Sequence, residues 1–183
     1  MIYNVAQLLK AQVGATQVVE LDNADTLYLE DESVRLAGPI SGRLRMRRTN
    51  QGILVDGPIE AQVELSCVRC LDPFTLPVSF DLEEQFYPTI DVITGLSLPE
   101  SDNELIFPID QNHQLDLREA LRQNLLLALP MQPICKETCA GLCPQCGKNL
   151  NEGPCDCQPP IDERLSVLGD LLKESLQPEQ PQR

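Results

Sequence analysis

The chain has no tryptophan, one histidine, and aromatic residues at only 4% of its 183 positions. So few flat rings argue against a platform on which unpaired bases would stack. A catalytic zinc site usually draws on several histidines and keeps an open position, and His113 alone does not supply that. It stands beside an expected helix start and reads as a surface residue. No Ser/His/Asp grouping, phosphate-cradling glycine loop or paired-carboxylate pattern is present, so a non-enzymatic protein is expected. Long apolar runs are also missing: the densest, residues 125–130 (LLLALP), falls far short of the ~20 residues that cross a bilayer. The first ten residues, MIYNVAQLLK, place no basic cluster before an apolar stretch and offer no small-residue cleavage site. The expected location is therefore the cytoplasm, with no membrane partner.

Positive charge is scarce, and its distribution matters more than the net −14. Residues 1–34 hold one Lys and six acids, and 35–69 hold six Arg and three acids. Residues 70–117 hold ten acids and no base, and 118–183 hold seven bases and nine acids. A chain of this balance is a poor general binder of nucleic acid, because phosphate contacts depend on Lys and Arg. One basic segment leaves a local RNA-binding face open.

The apolar pattern points to an α+β protein: an antiparallel β meander or partly closed barrel, flanking helices, and a C-terminal Cys-rich zinc module. Asn4 is placed to cap a helix over 5–12 that Gly14 ends. Short strands are expected at 16–20 and 26–30. Strict alternation then runs from 34 to 86, as in Leu44 and Met46 between Arg43, Arg45 and Arg47, or Ile59, Ala61, Val63 and Leu65. Turn residues at 50–52 and 57–58 punctuate it. Residues 87–112 read as a long acidic connection with an edge strand at 104–109. Asp116 and Glu119 form a capping-box pattern, with Leu115 and Ala120 as its apolar staple, before a helix over 117–129. The expected division is a core domain over 1–134, a zinc module over 135–160, a helix over 161–176 and a disordered tail over 177–183.

What the sequence has in plenty is cysteine, in four close pairs: Cys67/Cys70, Cys135/Cys139, Cys143/Cys146 and Cys155/Cys157. Two thiolates on a tight turn can face one cation, and two such turns complete a tetrahedron, so eight thiolates suit two zinc ions. Gly147, directly after Cys146, permits the backbone to turn back over the metal. Proximity assigns one site to Cys143, Cys146, Cys155 and Cys157. The other would join Cys67 and Cys70, between two strands, to Cys135 and Cys139. Other partitions stay open, since Cys139 is close to Cys143, and four-cysteine sites also accept iron–sulfur clusters. Disulfides fit poorly with a cytoplasmic chain, and a thioredoxin-like thiol centre fits poorly with cysteines set between alternating strands.

Cys67-Val68-Arg69-Cys70-Leu71 after a β run, the 125–130 run, and the stretch Cys135-x3-Cys139-Ala140-Gly141-Leu142-Cys143-Pro144-x-Cys146-Gly147-Lys148-Asn149-Leu150-Asn151 together resemble the large ribosomal RNA accumulation protein family, YceD. The resemblance covers most of the chain. It implies a non-enzymatic ribosome-biogenesis role in the maturation or accumulation of large-subunit (23S) ribosomal RNA, with rRNA or a pre-ribosomal particle as partner. Many members keep only the first cysteine pair, which implies that the zinc sites are scaffolding.

Within that frame the residues themselves nominate an RNA face. Arg43, Arg45 and Arg47 alternate to one side of a strand, about 7 Å apart, with Arg48 beside them and Arg69 at the tip of the first cysteine turn. The competing reading is a solvated strand face whose arginines pair with Glu60 or Glu64 on a neighbour. A different class of function is an acidic adaptor that binds a basic ribosomal protein or other partner through the base-free run 71–117.

Overall fold

The structure is a computed structural model, and it describes residues 1–21, 34–98, 107–157 and 168. In chain order the elements are β1 (Ile2–Asn4), α1 (Ala6–Lys10), β2 (Thr16–Leu21), β3 (Arg35–Leu36), β4 (Ser41–Arg48), β5 (Ile53–Ser66), β6 (Pro73–Pro88), β7 (Phe107–Ile109), β8 (Gln114–Asp116) and α2 (Arg118–Ala128). The strand expected at 26–30 and the tail 177–183 lie outside the described residues, as does the helix at 161–176 apart from Leu168, which is helical.

All eight strands form one curled, half-barrel sheet in the order β1-β8-β7-β6-β5-β4-β2, with β3 beside the distal part of β5. Period-two alternation builds it: Ile53, Val55, Ile59, Ala61, Val63 and Leu65 are buried along β5, and Val78, Leu82 and Phe86 along β6. Their side chains join Leu44 and Met46 of β4, Leu8 and Leu9 of α1, and Leu121 and Leu125 of α2 in one apolar cluster. Among the described residues no helix is long and apolar enough to cross a membrane.

Three sequence expectations about the sheet are corrected. Gly57-Pro58 does not divide two strands, and β5 runs through it for 14 residues. Gly57 takes φ 155°, and a Cβ there would meet the Arg43 carbonyl at 2.4 Å. The pairing of β4 with β5 skips Gly57 and Pro58, and Pro58 lacks the N–H that a regular ladder would need. Of the segment expected at the edge, 104–106 fall outside the described residues, and the described part Phe107–Ile109 lies inside the sheet. Within it, β7 pairs with β6 in parallel and with β8 in antiparallel fashion, so the meander is not wholly antiparallel. The short strands β1 and β8 carried too few residues to announce themselves.

Both helices start one residue later than expected. Asn4 ends β1, and its side chain accepts from the Ala6 N–H at 3.1 Å, with α1 shortened to Ala6–Lys10. Asp116 ends β8 and accepts from the Arg118 N–H at 3.0 Å, while Glu119 turns to Arg122 and Gln123 in place of reaching back. The reciprocal capping box is absent, because pairing of Asp116 with Ile2 in the sheet fixes the strand end two residues before α2 begins.

The longest hairpin is β5–β6, paired continuously from Ile53 with Phe86 out to Ser66 with Pro73. Its tip is the turn that carries Cys67 and Cys70. This arm positions the first half of a site.

Candidate metal centres

Two cysteine quartets gather in the structure: Cys67, Cys70, Cys135 and Cys139 form one, and Cys143, Cys146, Cys155 and Cys157 the other. Within each quartet the sulfur atoms all lie within 4.8 Å of one another. In the first, Cys67 Sγ stands 3.9 Å from Cys139 Sγ and Cys70 Sγ 3.7 Å from Cys135 Sγ. A tetrahedron with metal–sulfur bonds of about 2.3 Å has edges of about 3.8 Å. The spacing fits four thiolates on one ion, and it is far too long for disulfides, whose sulfurs sit about 2.05 Å apart. All eight cysteines are free thiols. The donor set therefore fits two single ions.

The two sites differ in setting. The first bridges the hairpin tip to the segment after α2, and three of its four cysteines are buried. The second is local to residues 143–157, with Cys146 exposed and Cys155 and Cys157 half-buried.

Each quartet uses one C-x-x-C turn of the same construction. The Cys67 N–H donates to the Asp72 carbonyl and the Leu71 N–H to the Cys67 carbonyl, both at 2.9 Å. Correspondingly, the Cys143 N–H donates to the Lys148 carbonyl and the Gly147 N–H to the Cys143 carbonyl, again at 2.9 Å. The residue after the second cysteine must adopt a left-handed backbone: Leu71 at φ 62° and Gly147 at φ 71°. Glycine takes this conformation freely, whereas leucine is penalised by about 1 kcal/mol or more. Leu71 recovers little by packing, since it is 64% exposed.

These turns aim amides at sulfur. Cys143 has its pKa lowered to about 6 by donation from the Cys146 and Gln145 backbone N–H groups. For Cys67 burial opposes ionisation, but backbone donation from Cys135, Cys70 and Arg69 outweighs it and brings the pKa to about 6. The Cys139 thiol is lowered first by the Asn151 side chain. Cys157 is pushed up to about 12 by its neighbour Cys146 and by desolvation. Each quartet thus holds at least one readily formed thiolate that can receive a cation, and the remaining protons would leave as a metal binds.

Asn149 and Asn151 escaped sequence reasoning about ligands. Asn151 Nδ2 donates to Cys139 Sγ at 3.4 Å, and Asn149 Nδ2 to the Asp72 carboxylate at 2.7 Å. The only signal was their place in the 146–155 loop, in the stretch that carries the family resemblance.

The five arginines nominated for RNA contact separate into two groups. Arg43, Arg45 and Arg47 stand on the outer face of β4. Arg45 pairs with Asp56, with Nε at 3.3 Å, and Arg47 reaches the same carboxylate at 3.8 Å. The partner is Asp56 and not Glu60 or Glu64, because the register sets Arg45 opposite Asp56, Ser41 opposite Glu60 and Arg35 opposite Glu64. Arg43 stands across from Glu20. Arg43, Arg45, Gly57 and Pro58 line a shallow open depression of about 300 Å³. Arg48 and Arg69 are engaged in the fold. Arg48 donates to the Leu9, Thr49 and Gly52 carbonyls, tying α1 to the β4–β5 turn. Arg69 donates to the Cys139 carbonyl at 3.1 Å, and its own carbonyl accepts from the Leu142 N–H.

Fold and site together define a class: a small curled-sheet protein whose longest hairpin is clasped at its tip by a tetracysteine module. The family described as large ribosomal RNA subunit accumulation protein YceD matches residues 55–172, and the chain belongs to that family. Among curated proteins it is 34% identical over 130 residues to an uncharacterized protein of Mycobacterium tuberculosis, covering 70% of this chain and 60% of the relative. It is 28% identical over 145 residues to an uncharacterized protein of Mycobacterium leprae, covering 79% of this chain and 64% of the relative. It is 26% identical over 159 residues to the chloroplastic large ribosomal RNA subunit accumulation protein YCED homolog 1 of Zea mays, covering 74% of this chain and 54% of that protein. The chain thus spans less than two thirds of the length of these relatives. No solved structure matches.

Proposed function

We propose that this chain is a non-enzymatic, cytoplasmic ribosome-biogenesis factor that supports the accumulation of large-subunit (23S) ribosomal RNA. In this reading it contacts that RNA or a pre-ribosomal particle, with two structural zinc ions holding its cysteine module. Membership of the YceD family carries the ribosomal role. The geometric support for RNA contact is the row Arg43, Arg45 and Arg47 on one face of β4, with Asp56 beside Arg45 and Arg47 and Glu20 across from Arg43. Guanidinium groups about 7 Å apart match the spacing of successive phosphates. Zinc is favoured because thiolate donors in a four-coordinate, single-ion arrangement suit it, and a closed site with four protein ligands is structural rather than catalytic.

The test is RNA binding across a salt series with large-subunit rRNA fragments. Exchanging Arg43, Arg45 and Arg47 for Glu together is expected to abolish binding, and single exchanges to Ala to lower the salt slope by about 0.7 each. Unchanged binding by the folded triple variant would refute the basic-face reading. A second reading, an acidic adaptor for a basic ribosomal protein, draws on β6. There Asp81, Glu83 and Glu84 have no basic neighbour on the strand, and Glu83 faces Asp56 in register. Like charges placed opposite one another are otherwise unfavourable. If that reading holds, the triple arginine variant keeps its partner and neutralising Asp81 and Glu83 releases it.

A further inference from the structure

We propose that the two metal sites load cooperatively, with Asn149 and Asn151 as the positioning residues through which the local quartet tightens the bridging one. This rests on the reading that both quartets bind zinc.

The loop between Cys146 and Cys155 belongs to the local quartet, and its closure depends on that ion. It has almost no apolar support, since Leu150 is the one large apolar residue between those cysteines and is only half-buried. Yet this loop reaches the other site at two points. Asn151 donates through Nδ2 to Cys139 Sγ at 3.4 Å and to Asn149 Oδ1 at 2.9 Å, while its Oδ1 accepts from the Ala140 N–H at 3.0 Å. Both donors of the amide are used, and its orientation is fixed by those three partners. Asn149 donates to Asp72 at 2.7 Å, and the Asp72 carbonyl in turn receives the Cys67 N–H. One asparagine thus touches a sulfur of the bridging quartet and the other braces the turn that holds two more.

Backbone bonds make the connection stiff. The Leu150 N–H donates to the Gly141 carbonyl at 2.8 Å, the Leu142 N–H donates to the Arg69 carbonyl at 3.1 Å, and Leu142 bridges with Asn149. Gly141 lies against the hairpin tip, where a Cβ would come within 3.1 Å of the Arg69 carbonyl. Closing the local loop therefore places both asparagines, and filling the bridging site holds Cys139 and Asp72 where the asparagines need them. Hydrogen bonds to thiolate sulfur offset the negative charge that four thiolates bring to a dication. Coupling of this kind is reciprocal.

Native mass spectrometry of the full chain during zinc titration, with alkylation of unprotected thiols, reads the coupling directly. In the unaltered protein the one-zinc species should fall below its statistical share, leaving mostly empty and two-zinc molecules. In Asn151→Ala and Asn149→Ala the one-zinc species should accumulate with Cys143, Cys146, Cys155 and Cys157 protected, and the bridging quartet should weaken about 10-fold or more. Asn151→Gln, which keeps the donor, should recover part of that loss. A statistical share of the one-zinc species in the unaltered protein, unmoved by either alanine variant, would overturn the inference while leaving two zinc sites intact. Binding of no zinc by the unaltered protein would overturn the zinc reading itself, and this inference with it.

Discussion

The sheet and the cysteine module reach order by different physics. In the sheet and its two helices, 23 buried apolar residues form one cluster, with Phe86, Leu44, Met46 and Leu121 sealed from solvent. Each such side chain contributes roughly 1.5–3 kcal/mol by burial, set against the entropy of ordering the chain. Across residues 131–157 the buried residues are Cys139, Gly141 and Cys143. Apolar packing in that segment is limited, with Ile134 set beside Phe74 against the buried cysteines. Its loops are instead fixed by two quartets of thiols, short backbone bonds and the hold on the hairpin tip. The difference teaches that a polar, glycine- and proline-rich segment can be given one conformation if metal ligation replaces burial.

The comparison would be broken most forcefully by keeping metal from the two quartets. A structural zinc site contributes an apparent ~10–16 kcal/mol at neutral pH, so chelation under reducing conditions should remove amide-exchange protection across 135–157 and leave that of 53–66 in place. Acid acts in the same direction. Metal affinity should fall as the pH falls, because protons return to thiols whose lowest pKa values, at Cys67 and Cys143, are about 6. The opposite intervention is Phe86→Ala, expected to destabilise the sheet by about 3–5 kcal/mol in denaturant unfolding while the folded fraction keeps both ions. A finer comparison uses the two left-handed residues. Leu71→Gly should stabilise the hairpin tip by about 1 kcal/mol, and Gly147→Ala should cost a similar amount although its Cβ would meet nothing within 4 Å. Smallest is Arg45→Ala. Its ion pair with Asp56 is half exposed, and thermal unfolding should register less than about 1 kcal/mol.

Much of this was legible in the sequence, for identifiable reasons. Alternation from Arg43 to Leu82 gave the long strands because one face is buried and a period of two has only one consistent reading. Cysteine spacing gave the pairs, since two-residue gaps place both thiols on one turn. The short strands at Ile2–Asn4 and Gln114–Asp116 were illegible because three residues carry no periodicity, and their pairing joins positions more than 100 residues apart. Gly57 reads as a turn because a turn and a close approach of two strands call for the same residue. The partner of Arg45 was illegible for a related reason: register, not proximity in sequence, decides between Asp56, Glu60 and Glu64. Asn149 and Asn151 look like ordinary loop residues until the fold carries them to Cys139 and Asp72. Arg48 and Arg69 looked available to a ligand, and only the structure places their guanidinium groups on backbone carbonyls.

The claim that metal stands in for a core is tested most directly by the metal content and thiol count of the purified chain. The account predicts two zinc ions per molecule and eight thiols titrating once the protein is denatured with chelator, matching the two quartets. Iron with acid-labile sulfide, or metal-free protein with its cysteines in disulfides and residues 135–157 still protected from exchange, would contradict it.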